Sequence, residues 1–193
     1  RWLMNDIITS IREKAEQGYL SLSCFQELMK TYDLSFKELE KVALENDVIP
    51  LRYQRNFSTI SRENQLKLFN SNIAIIGCGG LGGNISEYLT RIGVGNITIM
   101  DFDVFEEHNM NRQNFSNMET LGKYKAEVLK EGLEKINPAV TITALNEEFT
   151  KNSKSLNNAT LIIDALDNPD VKKELHAFCV EHDKQFIHGA IAG

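Results

Sequence analysis

The stretch from Asn72 to Gly83 reads Asn-Ile-Ala-Ile-Ile-Gly-Cys-Gly-Gly-Leu-Gly-Gly. Its first five residues are a short run rich in β-branched side chains, which predicts a buried parallel strand. A G-x-G-G-x-G loop follows, and residues 84–92 have the apolar spacing of an amphipathic helix. Glycines let the backbone approach a phosphate, and the N-terminus of the helix attracts negative charge. The stretch therefore predicts a nucleotide-binding turn.

The sequence after this turn continues to alternate between strands and helices. Further strand-like runs are Ile97 to Met100, Val140 to Leu145, Leu161 to Asp164 and Gln185 to His188. Helix-like segments between them are Lys123 to Ile136 and Asp170 to His182. Such alternation is typical of βαβ units. We therefore predict an α/β fold with a Rossmann-like, mostly parallel sheet and helices on both faces.

Residues 1–50 have a different pattern, because their apolar side chains recur at steps of three and four. This spacing predicts three short amphipathic helices, and Ser35 with Glu38 predicts a capping box at the start of the third. Pro50 marks the end of the pattern. We therefore divide the chain into a small N-terminal helical module, residues 1–50, and an α/β domain, residues 51–193.

The composition is that of a globular protein and argues against a membrane protein. The 193 residues are 42% hydrophobic and 25% charged, as in globular proteins. Apolar runs are far shorter than the roughly 18 to 20 residues of a membrane span, and the first residues do not resemble a signal peptide. We therefore expect a cytoplasmic protein without a membrane partner.

Charge and cysteine content argue against two further classes of ligand. A net charge of −6 disfavours binding to nucleic acid. The three cysteines are far apart and form no C-x-x-C pair, which disfavours zinc ligands in this stretch.

The residues after the second strand separate two possible chemistries. Asp101 follows Gly77 by 24 positions, where a Rossmann fold places a carboxylate that binds ribose. A nicotinamide-dependent oxidoreductase and an ATP-using nucleotidyl transferase both fit this arrangement. Arg112 and Lys125 favour ATP, because attack on the α-phosphate develops negative charge that both cations can neutralise. A dehydrogenase does not require two cations beside the phosphates, because it transfers hydride and does not attack phosphorus.

Nine short motifs occur in a fixed order. They are Arg52-Tyr53-Gln54-Arg55, the glycine loop, Gly93-Val94-Gly95, Asp101-Phe102-Asp103, Asn109-Met110-Asn111-Arg112-Gln113, Gly122-Lys123-Tyr124-Lys125, Ile136-Asn137-Pro138, Asp164-Ala165-Leu166-Asp167-Asn168 and His188-Gly189-Ala190. Each is weak alone, but the ordered series resembles the ThiF/MoeB/HesA family of ubiquitin-activating-like adenylyltransferases. The resemblance covers about residues 52–193.

The resemblance implies an activity. It implies ATP- and Mg²⁺-dependent adenylation of the C-terminal glycine carboxylate of a ubiquitin-like sulfur-carrier protein, similar to ThiS or MoaD, with release of pyrophosphate. That carboxylate is already ionised at neutral pH, so the reaction needs no general base. Positioning and electrostatic stabilisation are expected to carry most of the rate.

The resemblance also implies roles for individual residues. Those that it assigns to the nucleotide are Gly77, Gly79, Gly80, Gly82, Asp101, Asp103, Asn109 and Gln113. Those that it assigns to catalysis are Arg112, Lys125, Asp167 and Arg55. Asp167 resembles a carboxylate linked to Mg²⁺, a hard ion that few carboxylates and phosphate oxygens can hold. Arg55 resembles an arginine that reaches into the ATP site of the neighbouring subunit, which implies a homodimer.

Other hypotheses stay open at this point. The same chemistry could act on a ribosomal peptide or a modified tRNA base, and a paralogue could bind nucleotide without catalysis. Taken alone, Arg112 or Lys125 is more typical of a solvated surface charge. The run Asp167-Asn168-Pro169 could simply cap the following helix. The sequence stops at Gly193, just past a predicted strand, so we expect the chain to continue. Many relatives carry a cysteine and paired zinc ligands further along, and neither occurs in this stretch.

Overall fold

The computed structural model describes residues 2–190 and divides the chain into two compact units, Arg1–Asn70 and Ser71–Gly193. The first unit contains α1 (Trp2–Lys14), β1 (Tyr19–Leu20), α2 (Leu22–Tyr32), α3 (Phe36–Glu45), β2 (Ile49–Pro50), a 3-10 helix (Leu51–Asn56) and α4 (Arg62–Phe69). The three helices predicted before residue 50 are confirmed, and α3 begins with the predicted Ser35–Glu38 capping box. The two-residue strands, which pair in parallel, were not predicted.

Residues 51–70 belong to the first unit by their packing. The buried Tyr53 donates its hydroxyl hydrogen bond to the buried Glu40 at 3.0 Å. The boundary that we predicted at Pro50 therefore falls inside this unit. The division into residues 1–50 and 51–193 stays a prediction from the sequence.

The second unit is built around one sheet. It contains β3 (Asn72–Ile76), α5 (Gly80–Ile92), β4 (Asn96–Met100), α6 (Lys125–Ile136), β5 (Thr141–Leu145), β6 (Leu161–Asp164), α7 (Pro169–Glu181) and β7 (Gln185–His188). The strand order is β5-β4-β3-β6-β7 and every pair is parallel. The Rossmann-like parallel sheet is confirmed. One detail was wrong: α5 begins at Gly80, inside the glycine loop, and not near Asn84.

Helices cover both faces of this sheet. The chain steps from β3 to β4 and β5 on one side and returns to β6 and β7 on the other, so right-handed crossovers put α5 and α6 on the face opposite to α7. On the α7 face, Ala74, Ile76 and Ile162 pack with Leu175 and Phe178. The central strand β3 is buried on both faces, which explains its continuous apolar run.

The strand register aligns the carboxyl ends of the sheet. Ile76 pairs with Met100 on one side and with Asp164 on the other, Met100 pairs with Leu145, and Asp164 pairs with His188. The loops that follow these strands therefore leave the sheet at one edge. Strands are added on one side of β3 up to β5 and on its other side from β6 onward, and open α/β sheets bind ligands at such a switch point. Across residues 2–190, every helix is too short or too polar to cross a membrane.

Candidate active site

A cavity of about 480 Å³ lies at this edge of the sheet. Its walls come from the glycine loop, the loops after β4, β5 and β6, and the starts of α6 and α7. The predicted site residues that line it are Gly77, Gly79, Gly80, Asp101, Asp103, Arg112, Gln113, Lys125 and Asp167. The volume is within the range of about 300 to 1,000 Å³ that is usual for small-molecule sites.

The glycines of the loop fall into two pairs. A Cβ on Gly77, whose φ is +102°, would lie 2.7 Å from the carbonyl oxygen of Ala165, and a Cβ on Gly82 would lie 1.8 Å from that of Gly77. Backbone packing therefore requires these two glycines. A Cβ on Gly79 or Gly80 would meet no protein atom closer than 3.5 Å. Since both line the cavity, their missing side chains leave room for a ligand instead.

Asp101 holds the loop and faces the cavity. One carboxylate oxygen accepts a 2.7 Å hydrogen bond from the N–H of Cys78, and the other accepts one of 2.8 Å from the N–H of Asp103. Burial raises the pKa of Asp101, while those N–H donors and Lys125 oppose the shift. A carboxylate has about four lone-pair positions, so two remain for a ribose diol. Burial, and next the charge of Asp101, also raises the pKa of Cys78, which keeps this thiol neutral.

An isolated antiparallel β-bridge next to Lys125 positions this residue at the cavity. The backbone pairs Val104 with Tyr124, and the N–H of Lys125 donates to the carbonyl of Asp103 at 3.0 Å. The Lys125 side chain is 8% exposed, and its ammonium lies 3.6 Å from the carboxylate of Asp103. Lys125 is also the first residue of α6. The cation is therefore buried, oriented and held at the cavity wall.

Arg112 and Gln113 lie next to the glycine loop and line the cavity. The Arg112 guanidinium is exposed and donates to the carbonyl of His108 at 3.1 Å and to the side chain of Asn111 at 2.9 Å. Gln113 is buried, and its amide nitrogen would lie 3.5 Å from a Cβ on Gly79. Among residues 2–190, its amide oxygen has no hydrogen-bond partner. A buried acceptor without a partner at a cavity wall is a position where a ligand donor would be stabilised.

Asp167 and its neighbour Asn168 have different roles in the structure. Asn168 caps α7, because its side-chain oxygen accepts from the N–H groups of Asp170 and Val171. Asp167 itself is exposed and lines the cavity, and its carboxylate makes no hydrogen bond within the described residues. The capping hypothesis therefore holds for Asn168 and does not account for Asp167.

Three predicted site residues do not line the cavity. Gly82 lies in the first turn of α5. Asn109 is buried, and its side-chain oxygen accepts from the N–H of Glu106, so it stabilises the short 3-10 helix Glu107–Asn109. Arg55 is an exposed residue of the first unit. The roles predicted for Asn109 and Arg55 stay predictions.

One charged cluster at the cavity was missed from the sequence. Lys172 lines the cavity, and its ammonium donates to Asp164 at 2.9 Å and to the carbonyl of Gly189 at 2.8 Å. The fully buried Asp164 also interacts with the imidazole of His188 at 2.7 Å. Lys172 is the fourth residue of α7, which Asn168 caps. Nothing in the sequence distinguishes this lysine from its neighbour Lys173.

A model of the ThiF family matches residues 51–193. This chain belongs to the ThiF family. The resemblance drawn from the nine motifs is thereby confirmed. The molybdopterin-synthase adenylyltransferase of Salmonella typhimurium, a curated relative, is 33% identical over 144 residues, which cover 72% of this chain and 58% of that protein. The chain thus spans less than two thirds of the length of this relative.

Solved structures share the fold of this ThiF-family chain. The Escherichia coli tRNA N6-threonylcarbamoyladenosine dehydratase TcdA in complex with ATP gives a TM-score of 0.70 at 28% identity, covering 74% of this chain and 60% of that one. Escherichia coli MccB with AMPCPP and selenomethionine-labelled MccA gives a TM-score of 0.65 at 26% identity, covering 86% of this chain and 55% of that one. Both were solved with an adenine nucleotide.

Proposed function

We propose that this chain catalyses the ATP-dependent adenylation of a carboxylate, and that the acceptor is the C-terminal glycine of a ubiquitin-like sulfur-carrier protein of the ThiS or MoaD type. One observation carries the proposal: the glycine loop, Arg112, Lys125 and Asp167 line a single cavity at the switch point of the sheet. Membership of the ThiF family and the naming of a curated relative as an adenylyltransferase support it. We place the reaction in the cytoplasm.

The chemistry follows from the charges around the cavity. A carboxylate oxygen of the acceptor attacks the α-phosphorus of ATP, the bond from that phosphorus to the bridging oxygen breaks, and pyrophosphate leaves. The acceptor is already ionised, so no side chain has to remove a proton. Arg112 and Lys125 neutralise charge that grows on the phosphate oxygens, and Asp101 orients the ribose. These groups work by position and electrostatics.

Magnesium is compatible with the residues present. Among residues 2–190, no group of three or more His, Cys, Asp or Glu side chains could hold a metal ion. Mg²⁺ does not need such a cage when nucleotide is bound, because one or two carboxylates and phosphate oxygens suffice. Asp167 would hold it with its exposed carboxylate at the cavity wall. When bound, the ion supplies charge neutralisation for the leaving pyrophosphate.

The proposal includes a homodimer in which Arg55 completes the site of the neighbouring subunit. Subunit mixing tests this part. Arg55→Ala and Lys125→Ala proteins should each be inactive, but an equal mixture should recover about a quarter of wild-type activity if subunits exchange, because half of the dimers then contain one intact site. An inactive mixture, with exchange shown by native mass spectrometry, would exclude the shared site.

Pyrophosphate exchange tests the central proposal. Protein incubated with ATP, Mg²⁺ and a candidate carrier should incorporate labelled pyrophosphate into ATP only when the carrier is present. Arg112→Ala and Lys125→Ala should fold normally and lose exchange by at least about a hundredfold, the usual effect of removing one charge-stabilising donor. Lys135→Ala, an exposed position on the same helix as Lys125, is the matched control.

Calorimetry separates the remaining classes. Titration with ATP and with NAD should show Mg²⁺-dependent preference for ATP, whereas a dehydrogenase would prefer NAD. A paralogue without catalysis would bind ATP but show no exchange with any carrier. Retained exchange in both the Arg112→Ala and Lys125→Ala variants would contradict the roles that we give them.

A peptide acceptor is the second candidate, and one observation favours it. The match to MccB covers 86% of this chain, which is more than residues 51–193 make up, so it extends into the N-terminal helices. The match to TcdA covers 74%. The partner in the MccB complex is labelled with selenomethionine and is therefore a polypeptide. Exchange assays with short peptides ending in a free carboxylate would distinguish this acceptor from a carrier protein.

A further inference from the structure

Arg112 and Gln113 lie in a segment without regular secondary structure. Residues 111–116 form turns between the short 3-10 helix at residues 107–109 and α6. No helix or strand ladder therefore determines where their side chains meet the cavity. On the N-terminal side, the N–H groups of Arg112 and Gln113 donate to the carbonyl of Asn109 at 3.2 and 2.9 Å. The residues immediately after them supply the second anchor.

Asn114 anchors this segment to the helix that starts in the glycine loop. Its side-chain amide donates to the side-chain oxygen of Asn84 at 3.1 Å and to the carboxylate of Glu87 at 3.0 Å. Asn84 in turn donates to the carbonyl of Gly80 at 2.6 Å. A Cβ on Gly83 would lie 3.7 Å from the Cβ of Asn114, so the backbones are also close. A continuous path of hydrogen bonds thus joins Asn114 to the cavity wall.

Phe115 anchors the same segment to a second helix. Its φ of +66° is in the left-handed region, which is unfavourable for an aromatic residue. The ring occupies the space above Gly132 of α6, where a Cβ would come within 2.4 Å of it. The hydroxyl of Thr120 donates to the Phe115 carbonyl at 2.7 Å. Surroundings that over-determine an unfavourable conformation are typical of functional segments.

We infer that Asn114 is a positioning residue for nucleotide binding: its amide bridge to Asn84 and Glu87 sets the distance between the glycine loop and the Arg112–Gln113 pair. The inference rests on the proposed function, because it assumes that this cavity takes ATP. A displacement of about 1 Å is enough to weaken groups that act by geometry. Arg112 and Gln113 contact the triphosphate, whereas Asn114 acts only through them.

The substitution Asn114→Asp tests this bridge with little change in size. At a pH where the new carboxylate is ionised, it cannot donate and it faces the carboxylate of Glu87. The affinity for ATP should fall about tenfold, the usual scale for losing a hydrogen bond to a charged group. The affinity for AMP, which lacks the β- and γ-phosphates, should stay within about twofold, because the loop and Asp101 are unchanged. Calorimetry with ATP and AMP measures both.

A second substitution should restore the bridge with its polarity reversed. In the Asn114→Asp background, Glu87→Gln introduces an amide that donates to the new carboxylate, so the affinity for ATP should recover. Glu87→Gln alone should bind ATP normally, because its amide oxygen still accepts from Asn114. Asn158→Asp, an exposed position of the same residue type, is the matched control.

Each outcome separates the inference from the function on which it rests. Wild-type protein that binds no ATP would overturn the proposed function, and the inference with it. Wild-type protein that binds ATP beside an Asn114→Asp variant of equal affinity would overturn the inference alone. An equal loss of ATP and AMP binding together with a lower melting temperature would also overturn it, since that pattern indicates a structural role. Rescue by Glu87→Gln confined to ATP supports it.

Discussion

Glu40 in the first unit and Asp164 in the second are both fully buried carboxylates paired with a cation, yet the pairs differ in what they face. Glu40 pairs with Arg52 and accepts from the hydroxyl of Tyr53. The guanidinium of Arg52 lies over the rings of Phe36, at 5.0 Å, and Tyr53, at 4.7 Å. Aromatic rings therefore enclose this pair, and its role is to hold the first unit together.

Asp164 is bound beside a cavity instead of among aromatic rings. Its partners are Lys172, His188 and the N–H of Leu166, and Lys172 also lines the proposed nucleotide cavity. The same arrangement of a buried acid and a cation thus serves packing in one unit and a site in the other. The difference lies in the cation: arginine stacks flat on aromatic rings, whereas the compact ammonium of lysine reaches a cavity wall.

The largest expected effect comes from breaking the enclosed pair. Arg52→Met leaves the charge of Glu40 buried and unpaired, which should lower the free energy of unfolding by about 3 to 5 kcal/mol. Urea unfolding followed by circular dichroism measures the change. The double variant Glu40→Leu with Arg52→Met should regain most of the loss, because it removes the uncompensated charge. A single variant as stable as wild type would contradict the structural role of this pair.

The pair beside the cavity, Asp164 with Lys172, should respond in two ways. Lys172→Met leaves Asp164 with the imidazole of His188 and one N–H, so the free energy of unfolding should fall by only about 1 to 3 kcal/mol. The affinity for ATP should fall as well, about tenfold, because the cavity loses a cation. Lys173→Met, at the exposed neighbouring position, should change neither quantity. If Lys172→Met lowered stability and left ATP affinity intact, the two pairs would be equivalent.

A third acid, the half-buried Asp101, sharpens the comparison, since its direct partners are backbone N–H groups. Burial raises its pKa above the ordinary 3.8, so the proton is held more tightly in the folded state. The unliganded fold should therefore gain stability as pH falls through the raised pKa. ATP binding should weaken over the same range, because a ribose donor needs the ionised form. Titration calorimetry at a series of acidic pH values should show the fall in ATP affinity for wild type. The affinity of Asp101→Asn should not change with pH in this range.

The smallest effect is expected where a pair is exposed. Glu63 and Lys67 on α4 lie 2.8 Å apart with both side chains mostly exposed, and the hydrogen bond from Lys67 lowers the pKa of Glu63. Glu63→Gln should leave the unfolding midpoint unchanged within error, because water screens such pairs. A clear drop in the midpoint would show that an exposed pair also stabilises the fold. Burial would then not explain the difference expected between this pair and the Glu40 pair.

Local patterns allowed much of the fold and part of the site to be predicted. The strand at Asn72–Ile76 and the capping box at Ser35 follow from short-range spacing, and the structure contains both. The strands at Tyr19–Leu20 and Ile49–Pro50 were missed because two residues cannot show a period of two. The start of α5 was placed too late because glycine has low helix propensity, although the chain here is already helical.

The site was predicted less completely because side-chain roles depend on distant partners. Gly79 and Gly82 look alike in the sequence, but only the second would collide with backbone. Asn109 belongs to a recognisable motif, yet its side chain holds its own turn. Lys172 resembles any lysine on a polar helix until its contacts with Asp164 and Gly189 are known.

The sequence by itself determined the order of strands and helices, the glycine turn and the family, because these depend on periods and motifs a few residues long. Only the tertiary structure decided which charges share a cavity, which glycines face a ligand and which acids are enclosed. Those properties arise when segments far apart in the chain are brought together. The parallel register that aligns Ile76, Met100 and Asp164 at one edge of the sheet is the physical reason.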